Sequence, residues 1–193
     1  MPHLPRRFFD RPTLRVAREL LGQRLVHQSA GARLAGLITE TEAYIGQTDL
    51  ASHARFGRTP RSAIMFGPPG HAYVYFTYGM HWMLNIVTEG EGFPGAVLIR
   101  AIQPVDGIEI MQARRGPRVP PAQLADGPAK LAQAFGIDRA LNGHDLCASG
   151  AVLFVERRPA VSASAIRPGP RVGLYHTPEP WKSKPWRFSL DKT

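Results

Sequence analysis

The amino-acid sequence predicts an α+β fold in a single domain that spans residues 1–193. A chain of this length can bury one sizeable core, and its hydrophobic fraction of 44% is close to the globular average. Several short strand-like segments follow one another without the intervening helix that a βαβ unit requires. We therefore expect a mostly antiparallel sheet with flanking helices.

Helices are predicted over residues 12–22, 48–55, 106–113 and 126–135. In the first, four apolar side chains at helical spacing share one face, and Gly22 is a natural stop. Thr48 is a candidate cap for the second. The last is the best marked, because Asp126 can cap it, Pro128 lies in its first turn and Gly136 follows its end.

Strands are predicted where the sequence alternates or is continuously apolar, over residues 24–27, 35–44, 73–78, 83–87, 96–102, 151–155, 171–175 and 187–190. A polar turn at 29–31 joins the first two strands, and Gly79 provides a turn after the third. Residues 58–70 are rich in Gly, Pro and Arg and are predicted to be a loop with one helical turn. Residues 114–121 are predicted to be a basic, Pro-rich loop.

The net charge of +9 favours an anionic partner, and nucleic acid is the leading candidate. Arginine greatly outnumbers lysine, and Ala, Gly and Pro are abundant, so nucleotide composition could also produce this bias. Charge alone therefore leaves nucleic-acid binding open.

Cys147 is the only cysteine, which excludes an intramolecular disulfide and a thiol-rich metal site. The N-terminal ten residues lack the apolar stretch of a signal peptide, and no apolar run approaches the ~20 residues of a membrane helix. We expect a soluble, cytoplasmic protein that is not secreted and has no membrane partner.

The segment GLITETEAYIG, residues 36–46, carries the clearest chemical signal. Alternate residues of a strand share a face, so Ile38, Glu40, Glu42 and Tyr44 are expected to point the same way. Two carboxylates beside an aromatic ring suit acid–base chemistry next to a flat substrate. An ordinary solvent-exposed polar face is the alternative.

The next strand holds Tyr73 and Tyr75, with Tyr78 directly after them. Aromatic rings can stack on bases, but an aromatic core has the same pattern. Two arginine clusters, Arg58 with Arg61 and residues 114–118, are candidates for phosphate contacts or solvated loops. His53 is open between a ligand, a base contact and a core histidine.

Six motifs in this order resemble the alkyladenine, or 3-methyladenine, DNA glycosylase family. They are ETEAYIGQTDLASHA at 40–54, RTPR at 58–61, MFGPPGHAYVYFTYGMHWMLNIV at 65–87, VLIRAIQP at 97–104, DGPAKLAQAFGI at 126–137 and RVGL at 171–174. The resemblance extends from residue 9 to residue 188. It implies a curved sheet with a protruding, tyrosine-bearing β-hairpin, and excision of alkylated or deaminated purines from DNA.

The resemblance assigns the catalytic centre to three residues. Glu42 corresponds to the general base that activates water, and Arg100 to a residue that helps to hold that water. The main-chain carbonyl of Val172 corresponds to a third water contact. A carboxylate here would also stabilise the positive sugar that forms as the glycosidic bond breaks.

The resemblance also assigns the pocket and the DNA contacts. Tyr44, His53 and Tyr75 correspond to walls that stack on the flipped base and contact its edge, and Asn85 to a residue that crowds the 2-amino group of guanine. For DNA, the assigned side chains are Tyr78, which fills the gap left by the base, Met65 as a second apolar contact, and Arg58 and Arg61 toward phosphates.

The resemblance implies action on double-stranded DNA that contains damaged purines, and a monomer is expected for a protein that slides along DNA. No cofactor and no metal are expected, because attack of water on an activated purine needs neither. Three alternatives stay open: a bifunctional glycosylase/lyase with Pro2 or Lys130 as its amine, a non-catalytic nucleic-acid binding module, and a small-molecule hydrolase.

Overall fold

The computed structural model describes residues 2–29 and 31–191, which form one domain around a single antiparallel sheet. The predicted turn at 29–31 includes Ala30, which lies outside the described residues. The strands are β1 (Arg24–Ser29), β2 (Ala32–Ile45), β3 (Ala72–Thr77), β4 (His81–Thr88), β5 (Gly95–Asp106), β6 (Leu153–Glu156), β7 (Ile166–Gly169) and β8 (Arg187–Leu190). Their order is β3-β4-β5-β2-β1-β6, and β8 joins β2 and β7. The predicted α+β class and antiparallel sheet are confirmed.

Strand β2 is the centre of the sheet, and its length lets it pair with three neighbours. One edge pairs with β5 from Ala35 to Ile45. The other edge is divided, because β1 pairs with residues 32–37 and β8 pairs with residues 40–42. Residues in the second half of β2 are therefore held on both sides by backbone hydrogen bonds.

The pairing of β2 with β5 shifts register between Ile38 and Glu40 and again between Glu40 and Thr41. An extra residue in one strand interrupts the regular alternation of faces. Ile38 accordingly packs in the main apolar core together with Ala43, whereas Glu42 and Tyr44 are in mutual contact elsewhere. The expectation that Ile38 shares a face with Glu42 was therefore wrong.

The helices are α1 (Arg6–Phe9), α2 (Thr13–Glu19), α3 (Ile108–Arg115) and α4 (Pro128–Phe135). Helix α4 ends as predicted at Gly136, whose φ of +65° suits glycine. Its N-cap is Gly127, without a side-chain cap, so the predicted capping by Asp126 was wrong. Asp126 instead accepts a hydrogen bond from Lys130 at 2.8 Å.

Two predicted elements are absent. Residues 48–55 contain turns and a short 3-10 helix, His53–Phe56, which Ser52 caps, instead of an α-helix. Residues 171–175 form turns instead of a strand, and the strand before β8 is Ile166–Gly169. Both segments lie beside the pocket described below.

The main apolar core lies where α2 and α4 pack on β2, β4 and β5. Burial of this apolar surface is the largest favourable contribution to folding, at about 25 cal/mol per Å². A smaller apolar cluster, which includes Tyr73 and Met65, lies beside the pocket. Within the described ranges, no helix is long and apolar enough to cross a membrane.

Candidate active site

A pocket of about 320 Å³ lies where the central strands meet the 3-10 helix at 53–56 and the turn at 172–174. Its walls include nine of the residues singled out from the sequence: Tyr44, His53, Met65, Tyr73, Tyr75, Tyr78, Asn85, Arg100 and Val172. They come from β2, β3, β4, β5 and the connecting segments. The fold therefore brings together side chains that are up to 128 positions apart, from Tyr44 to Val172.

Glu42 lies directly behind this wall, with a side chain that is 0% exposed. Its Oε2 accepts a hydrogen bond from the Tyr44 hydroxyl at 2.8 Å, and its Oε1 accepts one from the Val172 main-chain N–H at 2.7 Å. Nη1 of Arg100 lies 3.3 Å from the same Oε1. A buried carboxylate with two hydrogen bonds and an ion pair is held in one orientation.

Opposing effects act on the pKa of Glu42. Burial raises it, and this is the largest effect, while the Arg100 guanidinium, the Val172 N–H and the Tyr44 hydroxyl lower it. The net result is a pKa above the ordinary value for Glu. A base with a raised pKa accepts a proton from water more readily than an ordinary surface carboxylate does.

Arg100 connects the two carboxylates of β2. Its Nε donates to Glu40 Oε1 at 3.2 Å, while its Nη1 approaches Glu42. Glu40 Oε1 also accepts a hydrogen bond from Arg187 Nη1, on β8, at 3.0 Å. Two guanidinium groups thus face two carboxylates, and Glu40 fixes the orientation of Arg100.

An aromatic wall forms the opposite side of the pocket. The ring of His53 lies edge-on to that of Tyr75, with centroids 4.6 Å apart, and its Nδ1 is 2.8 Å from the Tyr73 hydroxyl. Burial lowers the pKa of His53 to about 4, with a further contribution from Arg61 and Arg55. The imidazole is therefore neutral at physiological pH and adds no positive charge to the pocket.

Asn85 is a buried amide in the wall of the pocket. Its Nδ2 donates to the main-chain carbonyl of Tyr73 at 3.1 Å, across the β3–β4 pair. That bond fixes the orientation of the amide. A fixed polar group at this depth can exclude a substrate substituent that clashes with it.

The turn between β3 and β4 presents exposed apolar side chains at the mouth of the pocket. Tyr78 is 80% exposed and Met80 is 68% exposed. Tyr78 has a φ of +51°, which is uncommon for a residue with a bulky side chain, and Gly79 follows with +67°. The ring is thus held outward by the turn and not by packing.

The other three residues expected to contact DNA are Arg58, Arg61 and Met65, and they differ in their exposure to solvent. Arg58 and Arg61 are both exposed, and the Arg61 guanidinium lies 5.0 Å from the centroid of the Tyr75 ring. Met65 is only 2% exposed and packs in the apolar cluster with Tyr73 and Val87. Met65 is therefore part of the pocket wall, and its side chain is not on the surface as its expected role requires.

The second arginine cluster joins two helices. Arg114 donates to the carbonyl of Ala134 on α4, and Arg115 donates to the Gln133 side chain on α4 at 2.6 Å and to the carbonyl of Leu124 at 3.1 Å. Basic side chains that bond to carbonyls near a helix end stabilise it. These two arginines are thus engaged in holding α3 against α4.

Two important residues, Asp49 and Arg171, were missed by sequence reasoning. Their side chains are both 0% exposed, and the Arg171 Nη1 lies 2.6 Å from Asp49 Oδ2. Both lie within motifs quoted above, in QTDLAS and RVGL. The signal that could have found them is a single acidic residue in one of these segments and a single basic residue in the other, since neither segment carries another charge.

The two candidate amines for lyase chemistry lie outside the pocket walls. Lys130, on α4, forms an ion pair with Asp126. Pro2 lies beside β6, where its carbonyl accepts a hydrogen bond from the N–H of Arg157. In residues 2–29 and 31–191, no group of three His, Cys, Asp or Glu side chains is arranged to hold a metal ion.

Comparisons with known proteins agree with one another. A sequence model of the family described as methylpurine-DNA glycosylase matches residues 7–193. A protein of Methanocella arvoryzae is 54% identical over 188 residues, covering 97% of this chain and 92% of its own length. Relatives in Carboxydothermus hydrogenoformans and Myxococcus xanthus are 48% and 46% identical, covering 97% of this chain and 94% and 90% of their own lengths. The names of all three assign them provisionally as 3-methyladenine DNA glycosylases.

Proposed function

The chain belongs to the methylpurine-DNA glycosylase family, and from this premise we propose that it excises damaged purines from duplex DNA with a water activated by Glu42. Family membership makes the chain a DNA glycosylase, a hydrolase of N-glycosyl bonds that acts in base excision repair. The proposal adds the substrates, the mechanism and the residues that carry it.

The observation that carries the proposal is the position of the Glu42 carboxylate. It is fully buried, accepts two hydrogen bonds, is paired with the Arg100 guanidinium, and lies behind a pocket that has several aromatic rings in its wall. A binding module would have no need for a buried carboxylate in this place, because its desolvation opposes folding. The pocket volume is also at the small end of the range for ligand sites, as a single base requires.

The proposed reaction breaks the C1′–N bond of the flipped nucleotide. The bonding electron pair leaves with the purine, and positive charge develops on the sugar. Glu42 stabilises that charge and accepts the proton of the attacking water, whose oxygen forms the new bond to C1′. Arg100 and the Val172 carbonyl are proposed to hold the water, while the Val172 N–H holds Glu42.

The proposed substrates are 3-methyladenine, 7-methylguanine, hypoxanthine and ethenoadenine. The first two are cationic, and they gain from stacking on the rings of Tyr44, His53 and Tyr75. Neutral imidazole at His53 supports this preference, because a second positive charge would repel such a base. Asn85 is proposed to disfavour unmodified guanine by crowding its 2-amino group. 7-Methylguanine has the same group, and its excision is proposed to tolerate this crowding because the cationic base is a much better leaving group.

For binding, Tyr78 is proposed to fill the gap that the flipped nucleotide leaves, and Arg58 and Arg61 are proposed to contact phosphates. We propose that the enzyme acts as a monomer and, in a bacterium, on DNA of the nucleoid. Because arginine–phosphate contacts release counterions, affinity is expected to fall steeply as salt rises. Affinity that is independent of salt would contradict the phosphate contacts.

The test is an assay of base release from methylated duplex DNA, with a hypoxanthine-containing duplex in parallel. We expect free 3-methyladenine, 7-methylguanine and hypoxanthine, and a product strand that breaks only after alkali treatment. Strand cleavage without alkali, together with a borohydride-trapped protein–DNA adduct, would favour a lyase instead. Binding without any release would favour a non-catalytic module.

A further inference from the structure

The Arg171 guanidinium is held through both of its terminal nitrogens, whereas its Nε is buried without a hydrogen-bond partner among the described residues. Its Nη1 donates to Asp49 Oδ2 at 2.6 Å and to the Ala43 carbonyl at 3.0 Å, and its Nη2 donates to Asp49 Oδ1 at 2.9 Å and to the Trp181 carbonyl at 3.2 Å. Its carbon lies 4.7 Å from the centre of the Tyr44 ring. The charge is therefore fixed between strand β2 and the segment before β8.

Asp49 fixes the other end of this contact. Its Oδ2 also accepts the N–H of Ile45 at 3.2 Å, and its Oδ1 accepts the N–H of Ala51 at 3.1 Å. Every strong contact of the carboxylate thus goes to Arg171 or to the turn that follows β2. Removing either partner would leave a buried charge unpaired, which is strongly unfavourable.

The segment that follows Arg171 has no helix or strand to fix it, since residues 171–175 form turns. Yet the next residue, Val172, must place its N–H 2.7 Å from Glu42 Oε1. The bonds of Arg171 to the carboxylate of Asp49 and to the carbonyl of Ala43 supply the fixation that secondary structure does not.

We propose that Asp49 and Arg171 are positioning residues for excision, because their buried ion pair holds the Val172 N–H against the Glu42 carboxylate. The inference rests on the proposed role of Glu42 as the base. Neither Asp49 nor Arg171 bonds to Glu42 itself, so both act through its partners. Val172 is the main one, and the Arg171 guanidinium also contacts the ring of Tyr44, whose hydroxyl donates to Glu42.

Other charged and titratable groups also face Glu42 and influence its pKa, in addition to the Asp49–Arg171 pair. They are Arg100 from β5, Tyr44 and Glu40 from β2, Tyr75 from β3, and Arg187 from β8, which reaches Glu42 through Glu40. The substitutions proposed here leave all of these in place. Two of the effects that lower the pKa of Glu42 depend on Arg171: the Val172 hydrogen bond, through the segment that Arg171 holds, and the Tyr44 hydrogen bond, through the ring that the guanidinium contacts. Weakening either one raises the pKa.

The experiment compares single-turnover release of 7-methylguanine against pH in the wild type, Arg171→Lys, Asp49→Asn and Glu42→Gln. This cationic base leaves without needing a proton, so the acidic limb of the profile reports the base alone. Glu156→Gln is the matched control, because Glu156 is a buried carboxylate bound by Arg24 and Arg33 at the far edge of the sheet. Urea unfolding and DNA affinity are measured for every variant.

In Arg171→Lys and Asp49→Asn, the acidic limb is expected to move to higher pH by about one unit, which lowers the rate below the limb about tenfold. DNA affinity is expected to stay within about twofold of the wild type, since neither residue is proposed to touch DNA. Glu156→Gln is expected to lose stability with its acidic limb unmoved.

Arg171→Lys and Asp49→Asn could lose stability while the acidic limb of their pH–rate profiles stays in place. That result would overturn the inference but leave Glu42 as the base. Wild-type activity in Glu42→Gln would instead show that Glu42 is not the general base, and the proposed function on which the inference rests would fail. If neither variant folds, Trp186→Leu decides, because the Trp186 ring lies 5.0 Å from the guanidinium. A smaller shift of the same sign is expected there, and no shift would again overturn the inference.

Discussion

The pocket has two sides that are built in opposite ways. On the inner side, the Glu42 carboxylate accepts hydrogen bonds from the Tyr44 hydroxyl and the Val172 N–H, at the centre of the sheet. On the outer side, Tyr78 is 80% exposed in the turn that joins the edge strand β3 to β4. The inner side provides rigidity for chemistry, whereas the outer side provides free apolar surface that only a partner can cover.

Because the two sides differ in this way, substitutions on each side are expected to have different effects. Changes on the inner side should alter the rate of bond cleavage and its pH dependence. Changes at the turn should alter DNA binding and base flipping while the chemistry of the pocket is retained.

The largest effect is expected for pH on the inner side. Burial raises the pKa of Glu42 above its ordinary value, and only the ionised carboxylate can accept a proton from water. Excision of 7-methylguanine should therefore be full above that pKa and fall about tenfold for each pH unit below it. Single-turnover rates between pH 4.5 and 8 measure this, and a flat profile would separate Glu42 from the chemistry.

The next effect is expected at the turn. Tyr78→Ser should weaken binding of damaged duplex by about tenfold, because a stacked ring contributes roughly 1–3 kcal/mol per base. Fluorescence anisotropy measures the affinity, and excision from single-stranded DNA, where no flipping out of a stack is needed, should be affected less. Tyr175→Ser is the matched control, since that tyrosine is 78% exposed but lies outside the turn. Equal losses in both variants would show that the turn has no special role.

A smaller effect is expected in the wall between the two sides. Asn85→Ala removes the amide that is proposed to crowd the 2-amino group of guanine, and it should raise excision of guanine relative to hypoxanthine by about tenfold or less. Competition between the two bases in matched duplexes measures the ratio. An unchanged ratio would assign Asn85 to the support of the β3–β4 pair alone, through its bond to Tyr73.

The smallest effect is expected for Lys130, which lies outside the pocket walls. Lys130→Ala removes only an exposed ion pair with Asp126 and should change base release by less than about twofold. A loss of activity, especially together with loss of a borohydride-trapped adduct, would support an amine nucleophile and contradict hydrolysis by water.

Local sequence patterns predicted those parts of the pocket that depend on strands. The alternation in residues 40–44 placed Glu42 and Tyr44 on one face, and the structure brings them into contact. The same rule misplaced Ile38, because a register shift near Glu40 cannot be read from residue types. The helix class of residues 48–55 was also wrong, since the carboxylate of Asp49 bonds to the turn that follows β2.

Long-range contacts explain the remaining differences. Asp49 and Arg171 are 122 positions apart, so no periodicity relates them, and only the folded chain shows that they form a buried pair. Residues 171–175 begin at this buried pair and form turns, although their composition suits a strand. The DNA contact expected of Met65 came only from the family resemblance, and in the structure Met65 packs in the apolar cluster that contains Tyr73.

The most direct test of Glu42 as the base is excision of hypoxanthine and 7-methylguanine by Glu42→Gln, with Glu40→Gln as the matched control on the same strand. Glu40 bonds to Arg100 and Arg187 but is not proposed to activate water. We expect Glu42→Gln to lose about 10²–10⁴-fold in rate while still binding damaged duplex, and Glu40→Gln to lose far less. Equal rates in Glu42→Gln and the wild type would contradict the proposed mechanism.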